Sequence, residues 1–343
     1  MVVPQVPGRK SNAKWVVMGS AAGLAVVGAM AWVLFSGVLS HSDQTATGQK
    51  GSTSAASANP QSLSAPEIVQ KVAEQYESLS SYSATGTAVS DMDMSKVDLK
   101  NMPGMDKLPA GVKDPKAFRQ AMSKRVRTES EFSVKLGRPG FYRVEWESKA
   151  GPAGMKGAVW SAGEGDFITM AKAKYTKMES REMALASATG ISGGVASTMP
   201  SVFFQDQSSA LNFFKKGKRS KDETVGGEDC YVLNGDAMGM KVILWVAKGA
   251  FLIKQKQMVF GGKSTMPEVN EAQMEDGVKK LGNLTPEQKA QAKAVMKNMK
   301  PMLSQMKGTM TETYHNIEIN PPVKKEDFNY ELPAGAVLSK SLF

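Results

Sequence analysis

The distribution of hydrophobic and polar residues divides this chain into an apolar run, a polar stretch and a long folded part. Residues 15–39 contain no charged side chain, and a helix of 25 residues is long enough to cross a bilayer core of about 30 Å. The run is longer than the apolar part of a cleaved signal peptide. We therefore predict an uncleaved transmembrane signal anchor. Residues 1–14, which include Arg9, Lys10 and Lys14, are predicted to lie in the cytoplasm.

Residues 40–63 are rich in Ser, Thr, Ala, Gly and Gln, which is typical of a flexible linker. The folded part, residues 64–343, begins with Ser64-Ala65-Pro66-Glu67. This sequence combines an N-cap serine, an early proline and a capping-box glutamate. Apolar residues then follow at helical spacing as far as Leu79. The pattern predicts a helix that ends near Ser80.

From Tyr82 onwards, apolar residues recur at every second position, as in strands with one buried face. Arg138-Pro139-Gly140 interrupts this alternation and predicts the turn of a hairpin. The predicted strands are 82–91, 131–136, 142–147, 157–162, 166–172, 230–235, 241–248, 250–260 and 310–319. Short strands at this spacing predict a mainly β (α+β) domain, built on one curved antiparallel sheet or an open barrel.

Other segments separate the predicted strands. Residues 202–216 carry several phenylalanines and are predicted to form a helix. Two long insertions occupy residues 95–127 and 264–309. A helix is predicted to start at Thr285 in the second insertion and to kink at Pro301. One apolar face of this helix is formed by Val295, Met299, Met302, Leu303 and Met306.

The net charge of +10 does not predict a nucleic-acid interface, because the basic side chains beyond the anchor are mostly scattered. The single cysteine, Cys230, excludes an intramolecular disulfide and a cysteine zinc site. No motif of a hydrolase, a zinc peptidase or a phosphate-binding loop is present. His315 is expected to be a partly buried, structural histidine. We therefore expect no catalytic residue, no metal site, no cofactor and no nucleic-acid partner.

Methionine is unusually frequent, with 23 residues in the chain. Those in or beside the insertions are Met92, Met94, Met102, Met105, Met122, Met296, Met299, Met302, Met306 and Met310. Three interpretations remain open. The side chains fill an irregular core, line an adaptable lipophilic pocket, or bind Cu(I) through their thioethers. The spacing of the last helical group suits metal ligands, but it is also that of an amphipathic helix.

Several short motifs occur in an order that resembles a known family. They are GRPGFYRVE at 137–145, VWSAGE at 159–164, ETVGGEDCYVL at 223–233, VILWV at 242–246 and FNYELPAG at 328–335. Residues 65–335 thereby resemble the LolA/LolB-like superfamily of periplasmic lipoprotein carriers. The resemblance implies an open half-barrel of antiparallel strands, with helices covering its concave face. It also implies a cavity between sheet and helices that receives acyl chains.

The resemblance and the apolar faces together provide candidate site residues. Arg138 and Pro139 correspond to an Arg-Pro element at the start of a hairpin. The resemblance also implies an arginine that holds the helical lid closed, and Arg143 is a candidate for that role. The candidate ligand-binding residues are Tyr142, Val144, Trp146, Trp160, Phe203, Phe204, Leu211, Phe214, Leu244, Met299, Met302 and Met306.

The function implied by the resemblance is non-enzymatic binding of a lipid, an acyl group or a lipoprotein in a hydrophobic cavity. Residues 15–39 would hold the protein in a bacterial plasma membrane, with the C-terminal domain in the periplasm. The anchor and the insertions depart from the short, diffusing carriers, which puts lipoprotein shuttling itself in doubt. Two other interpretations remain open, namely a membrane-anchored sensor or scaffold for a partner protein, and a methionine-rich Cu(I)-binding module.

Overall fold

The computed structural model describes residues 63–339 with several gaps. The gaps are 94, 97–124, 150–154, 172–173, 190–191, 193, 207–208, 238, and all of 262–304 except 271, 272, 275, 286, 290, 293 and 297. The predicted anchor 15–39, residues 40–62 of the predicted linker and most of both insertions therefore lie outside the described residues and stay predictions, whereas Leu63 is buried in the core. Among the described helices, none combines the length and the apolar character needed to cross a bilayer.

The first described helix, α1 (Ala65–Glu77), begins where its capping sequence predicts. The backbone N–H of Ser64 donates to Glu67 Oε2 at 2.8 Å. Pro66 lies in the first turn, where its missing N–H would have had no helical partner. The buried side of the helix consists of Ala65, Ile68, Val69, Val72 and Tyr76. The helix therefore turns one apolar stripe toward the core, as the helical spacing of its sequence indicated.

All thirteen described strands belong to one open, curved sheet. The strands are β1 (Ser81–Asp93), β2 (Arg125–Gly137), β3 (Phe141–Ser148), β4 (Met155–Ser161), β5 (Asp166–Ala171), β6 (Lys174–Met178), β7 (Lys218–Arg219), β8 (Glu223–Val225), β9 (Glu228–Ala237), β10 (Met240–Ala247), β11 (Ile253–Phe260), β12 (Lys307–Ile319) and β13 (Val337–Ser339). Their spatial order is β13-β6-β5-β4-β3-β2-β1-β12-β11-β10-β9-β7, with β8 beside β9. The sheet is mixed, because β13 runs parallel to β6. The prediction of a purely antiparallel sheet is therefore wrong at this edge.

The central strands extend further than their sequence pattern indicated. β1 and β2 remain paired as far as Asp93 and Arg125, and β12 already begins at Lys307. The insertions predicted at 95–127 and 264–309 are therefore too long, since the last residues of each belong to strands. Residues 125–130 are mostly polar or charged, so their strand structure leaves little hydrophobic alternation to detect.

Helical segments cover one face of the sheet, which we call the inner face. α2 (Arg181–Thr189) lies over β4 to β6, α3 (Val195–Phe203) lies over β2 and β3, and a 3₁₀ helix (Ala210–Phe214) lies against β9. α1 packs on both α3 and this 3₁₀ helix. The prediction of one helix over 202–216 is wrong, because Gln205 adopts a left-handed φ of 57° just after α3 ends.

The C-terminal segment crosses the opposite, outer face of the sheet. A second 3₁₀ helix (Lys325–Phe328) buries Phe328, whose ring centroid lies 5.6 Å from that of Phe141. Tyr330 follows and packs on Trp160, with 5.3 Å between the ring centroids. The segment thus covers aromatic side chains that the strands present on their outer face, before it pairs with β6 as β13.

We predict that Gly86→Ala strongly destabilises the fold. Gly86 lies on β1 between Phe132 and Tyr314, and a Cβ at this position would collide with the Phe132 ring and the Thr313 carbonyl oxygen. Overpacking of this kind costs about 1–3 kcal/mol or more. Denaturant unfolding measures the loss. Gly249→Ala is the control, because a Cβ there meets nothing within 4 Å; equal stability of the two variants would contradict the packing described here.

Candidate functional site: the inner face of the sheet

Strand register arranges the inner face in rows that change in character from one end of the sheet to the other. Tyr82, Leu136 and Tyr142 lie side by side on β1, β2 and β3 and are fully buried. The next row contains Val134 and Val144, which are also buried. We call this the closed end of the inner face. The helices cover it, so its apolar side chains form the core of the domain.

The opposite end of the inner face is rich in methionine. Met258 on β11 is paired directly with Met310 on β12. The other members of this group are Met92 on β1, Met240 on β10, and Met306 immediately before β12. Met92 and Met306 are buried, whereas Met240, Met258 and Met310 are half-buried. We call this set of five residues the methionine end. It lies where the chain leaves the sheet from β1 and β11 into the two insertions.

A buried ion pair separates the closed end from the methionine end. Lys256 Nζ lies 3.2 Å from Glu312 Oε1, and the two side chains are only 6% and 4% exposed. They are direct cross-strand partners on β11 and β12. Lys256 also donates to Thr198 Oγ1 at 2.6 Å, and Thr198 donates to Glu312 Oε1 at 3.0 Å. Because Thr198 belongs to α3, the network fixes this helix over the sheet.

Tyr314 completes the network from the same strand as Glu312. Its hydroxyl donates to Glu312 Oε2 at 2.7 Å. Burial raises the pKa of Tyr314 well above its ordinary value, and the neighbouring Glu312 carboxylate raises it further. The phenol therefore keeps its proton and remains a donor. Each polar group of the network thus has a partner within it, which is the condition for burying charge in a core.

Arg138 ties the ends of two helices to the turn between β2 and β3. Its Nη2 donates to Phe203 O at 2.8 Å, and its guanidinium lies 4.6 Å from the centroid of the Phe203 ring. Longer contacts of 3.4 Å reach Leu79 O and Tyr76 O at the end of α1. The peptide bond to Pro139 is cis. Arg138 therefore satisfies carbonyl groups that helix ends leave without partners.

A second polar contact joins α2 to the segment after α3. Arg181 Nη2 lies 2.6 Å from Asp206 Oδ1, and the guanidinium stacks on Phe204 at 4.3 Å from the ring centroid. Burial raises the pKa of Asp206 to about 6, and the Arg181 charge opposes this shift only in part. The ionised form of Asp206 is therefore less stable in the folded protein than in the unfolded chain.

Most of the predicted ligand-binding residues lie together in the core beneath the helices. These are Tyr142, Val144, Trp146, Phe203, Leu211, Phe214 and Leu244, with Phe204 partly buried against them. Met306 belongs to the methionine end, and Met299 and Met302 lie outside the described residues. Whether any of these residues contacts a ligand stays a prediction.

The structure does not bring Trp160 and Arg143 to the inner face. The two residues are cross-strand partners on the outer face, where Trp160 stacks on Phe167 at 5.5 Å. Arg143 forms a 2.8 Å ion pair with Glu145 and donates to Asn329 O at 2.7 Å. The contact with Asn329 holds the C-terminal segment on the outer face, so Arg143 lies away from the helices, and the arginine that contacts the helix ends is Arg138.

His315 is exposed, so the prediction of partial burial is wrong. The pairing of β1 with β12 is irregular between Ser83 and Thr85, and Asn316 has a φ of 47°. The alternation itself is kept here, because Glu312 and Tyr314 are buried on the inner face, and His315 lies with Thr313 on the outer face. Lys256 was not predicted from the sequence, because a charged residue at an inward position of a strand breaks the apolar alternation that marks a buried face.

We predict that substitution of only one member of the buried ion pair Lys256–Glu312 strongly destabilises the protein. Lys256→Met and Glu312→Gln should each destabilise the protein by about 3 kcal/mol or more, because each leaves a buried charge unpaired. In denaturant unfolding, the loss of unfolding free energy in the double variant should be about 2 kcal/mol smaller than the sum of the losses in the two single variants. The exposed pair Lys156–Glu147 is the control, for which we expect coupling below about 1 kcal/mol. Additive effects at Lys256 and Glu312 would refute the network.

A second prediction concerns pH. Because the folded pKa of Asp206 lies above its ordinary value of 3.8, its contribution to stability is present below that value and is lost as the pH rises through about 6. The stability of the wild type relative to Asp206→Asn should therefore fall between pH 4 and 7, by at most about 3 kcal/mol. A difference in unfolding free energy between the two proteins that stays constant from pH 4 to pH 7 would contradict the raised pKa of Asp206.

Comparison with known proteins gives weak likeness to solved structures only. No protein-family model matches the chain, and no curated protein matches it. A solved structure that it resembles is a putative outer membrane lipoprotein-sorting protein domain from Vibrio parahaemolyticus. The TM-score is 0.29 and the identity 12%, over 79% of this chain and 97% of that one. A likeness at this level establishes neither the family nor the function of this chain.

Proposed function

We propose that this protein binds a lipid acyl chain, free or attached to a protein, at the methionine end of the inner face. The observation that carries the proposal is the direct cross-strand pair Met258 and Met310, with Met240 diagonal to Met258 on β10, two residues from Val242, the direct partner of Met258. All three methionines are only half-buried. They continue the same face that forms the buried core, so apolar surface extends beyond the part that the helices cover.

Methionine suits this role because its unbranched, flexible side chain adapts to ligands of irregular shape. Burial of each methylene group of an acyl chain contributes about 0.8 kcal/mol. Both insertions leave the sheet at the methionine end, after Asp93 and Phe260. Met299 and Met302, which the sequence predicts to bind the ligand, belong to the second insertion and lie outside the described residues.

The proposal is for binding without catalysis. The charged and hydroxyl groups of the buried network bind one another and do not point to a free surface. These groups belong to Lys256, Glu312, Thr198 and Tyr314. A network of this kind supports the position of α3. It leaves the neighbouring methionine side chains as the groups that an incoming molecule would meet.

We also propose that the domain works at the outer surface of a bacterial plasma membrane, held there by residues 15–39. A flexible linker of about 24 residues, 40–63, has a root-mean-square length of roughly 27 Å. Such a linker keeps the methionine end close to membrane lipids and to lipid-modified proteins. The support for this location is the uncharged run in the sequence and the resemblance of residues 65–335 to periplasmic carriers.

The test is equilibrium binding of a fluorescent long-chain fatty acid to the full chain, kept in a fluorinated surfactant that mixes poorly with hydrocarbon. We predict saturable binding that Met258→Gln/Met310→Gln weakens at least about tenfold, because two polar amides then replace apolar side chains at the site. Thr311→Gln, next to Met310 but on the outer face, should bind like the wild type.

Met258→Leu/Met310→Leu separates the acyl-chain proposal from Cu(I) binding. This variant keeps an apolar surface of similar volume but removes both thioethers. Fatty-acid binding should stay within about threefold of the wild type if apolar contact is what matters. Absence of fatty-acid binding by the wild type would refute the proposal. Loss of high-affinity Cu(I) binding in the leucine variant would point to the metal instead.

A further inference from the structure

The densest group of basic residues in the sequence lies at one edge of the sheet. Residues 215–221 read KKGKRSK. They include β7, which is the last strand on that side of the sheet order. Four lysine side chains of this segment are exposed to solvent. We call these four residues the basic edge, and they are Lys215, Lys216, Lys218 and Lys221.

The carboxylates beside the basic edge are paired with other groups. Asp222, the acidic residue next to this segment, lies 2.8 Å from Arg219 Nη2 and 3.0 Å from Lys248 Nζ. Glu223 accepts a hydrogen bond from Trp245 Nε1 at 2.8 Å. Among the described residues, none of the four lysines of the basic edge forms an ion pair. The basic edge therefore presents four positive charges to the solvent at neutral pH.

Protection of the sheet edge does not account for this concentration of charge. Lysine on an edge strand hinders pairing with other chains. However, β7 consists only of Lys218 and Arg219, so the other three lysines of the basic edge lie outside the strand. The strand at the opposite edge, β13, carries no charged residue at all. The basic edge thus holds more positive charge than negative design against edge pairing requires, which suggests an anionic partner.

The chain from the predicted anchor enters the domain beside the basic edge. Leu63 is buried, and its carbonyl oxygen accepts a hydrogen bond from Arg219 Nη1 at 2.9 Å. Arg219 follows Lys218 on β7, and its guanidinium lies 4.7 Å from the centroid of the Tyr231 ring. The point at which residues 40–62 join the domain is therefore fixed next to β7. If residues 15–39 lie in a membrane, the basic edge is where the connection to that membrane begins.

Strand register also places the basic edge at the level of the methionine end. Lys218 pairs with Asn234, and Asn234 pairs with Ile243 on β10. Ile243 in turn pairs with Gln257 on β11, the residue before Met258. The three inter-strand spacings from β7 to β11 amount to about 14 Å. Contact between the basic edge and a lipid surface would therefore bring the methionine end close to the same surface.

We propose that the basic edge docks the domain on the anionic phospholipid head groups of the membrane that holds the predicted anchor. This inference rests on the location given in the proposed function and names the surface that makes the contact. Each lysine close to an anionic membrane strengthens binding roughly fivefold. The attraction extends only about 10 Å at an ionic strength of 0.1 M. The short connection from the anchor to Leu63 keeps the basic edge near the surface, so that weak contacts are enough to orient the domain.

The experiment uses the full chain held in nanodiscs of phosphatidylcholine, so that the domain is free to bind separate vesicles. Flotation then measures how much protein follows the vesicles, and empty nanodiscs give the background. We expect the wild type to float with vesicles that contain about 30% phosphatidylglycerol and not with vesicles of phosphatidylcholine alone. Binding in about 0.1 M salt should be lost in about 0.5 M salt, because the attraction is electrostatic.

Two variants with the same change in net charge test the position of the contact. The variant of the basic edge is Lys215→Gln/Lys216→Gln/Lys218→Gln/Lys221→Gln, and its apparent affinity for the anionic vesicles should fall at least about tenfold. The control variant replaces four exposed lysines on the other half of the sheet and should bind within about twofold of the wild type. It is Lys174→Gln/Lys177→Gln/Lys324→Gln/Lys325→Gln.

The outcomes separate this inference from the proposed function. Equal flotation with neutral and anionic vesicles would overturn the inference, as would equal affinities of the wild type and the variant of the basic edge, or equal losses in the two variants. Dissociation of the wild type from the nanodiscs would refute the membrane location, and the released chain would then be tested on the same vesicles. The variant of the basic edge should still bind the fluorescent fatty acid, since it leaves the methionine end unchanged.

Discussion

Gly86, in the middle of β1, allows two aromatic rings to meet across the centre of the sheet. Phe132 on β2 and Tyr314 on β12 flank this glycine, and their ring centroids lie 5.3 Å apart because no side chain separates them. The contact helps to fix the register of the three central strands, since a shift by one residue would turn each inner side chain to the outer face. The closed end, the buried network and the methionine end all take their positions from this register.

The pair Lys256–Glu312 divides the inner face into two parts with different packing. On one side, aliphatic and aromatic side chains are fully buried beneath the helices; on the other, Met240, Met258 and Met310 are only half-buried. A buried ion pair adds little stability compared with apolar residues of equal volume. Its hydrogen bonds to Thr198 and Tyr314 are directional, however, and they favour one position of α3. The closed end therefore specifies the fold, and the methionine end can accept different contacting molecules.

The sequence predicted nine of the thirteen described strands and the start of α1, because these depend on local periodicity and capping; it missed β6, β7, β8 and β13. It predicted much less of the candidate site, for reasons that particular residues make clear. Lys256 and Glu312 occupy inward positions yet carry charge, so a search for apolar faces passed over them. Trp160 shares its face with Arg143, and only the pairing of β3 with β4 shows that this is the outer face. His315 alternates with the buried Tyr314 and lies on the outer face, and only the fold shows that it is exposed there. Register and partner choice are long-range properties, and local sequence does not contain them.

The pairing of β1 with β12 also determines when the domain can finish folding. β1 leaves the ribosome early, but its partner lies more than 200 residues further along the chain, as the pairing of Tyr82 with Ile319 shows. Hairpins such as β2–β3 and β9–β10 connect residues that are close in sequence and form quickly, whereas the central seam must wait. Until β12 emerges, one edge of β1 remains unpaired, and the strands before and after it cannot join into one sheet. A chaperone that shields apolar surface would therefore matter most during the synthesis of the last third of the chain.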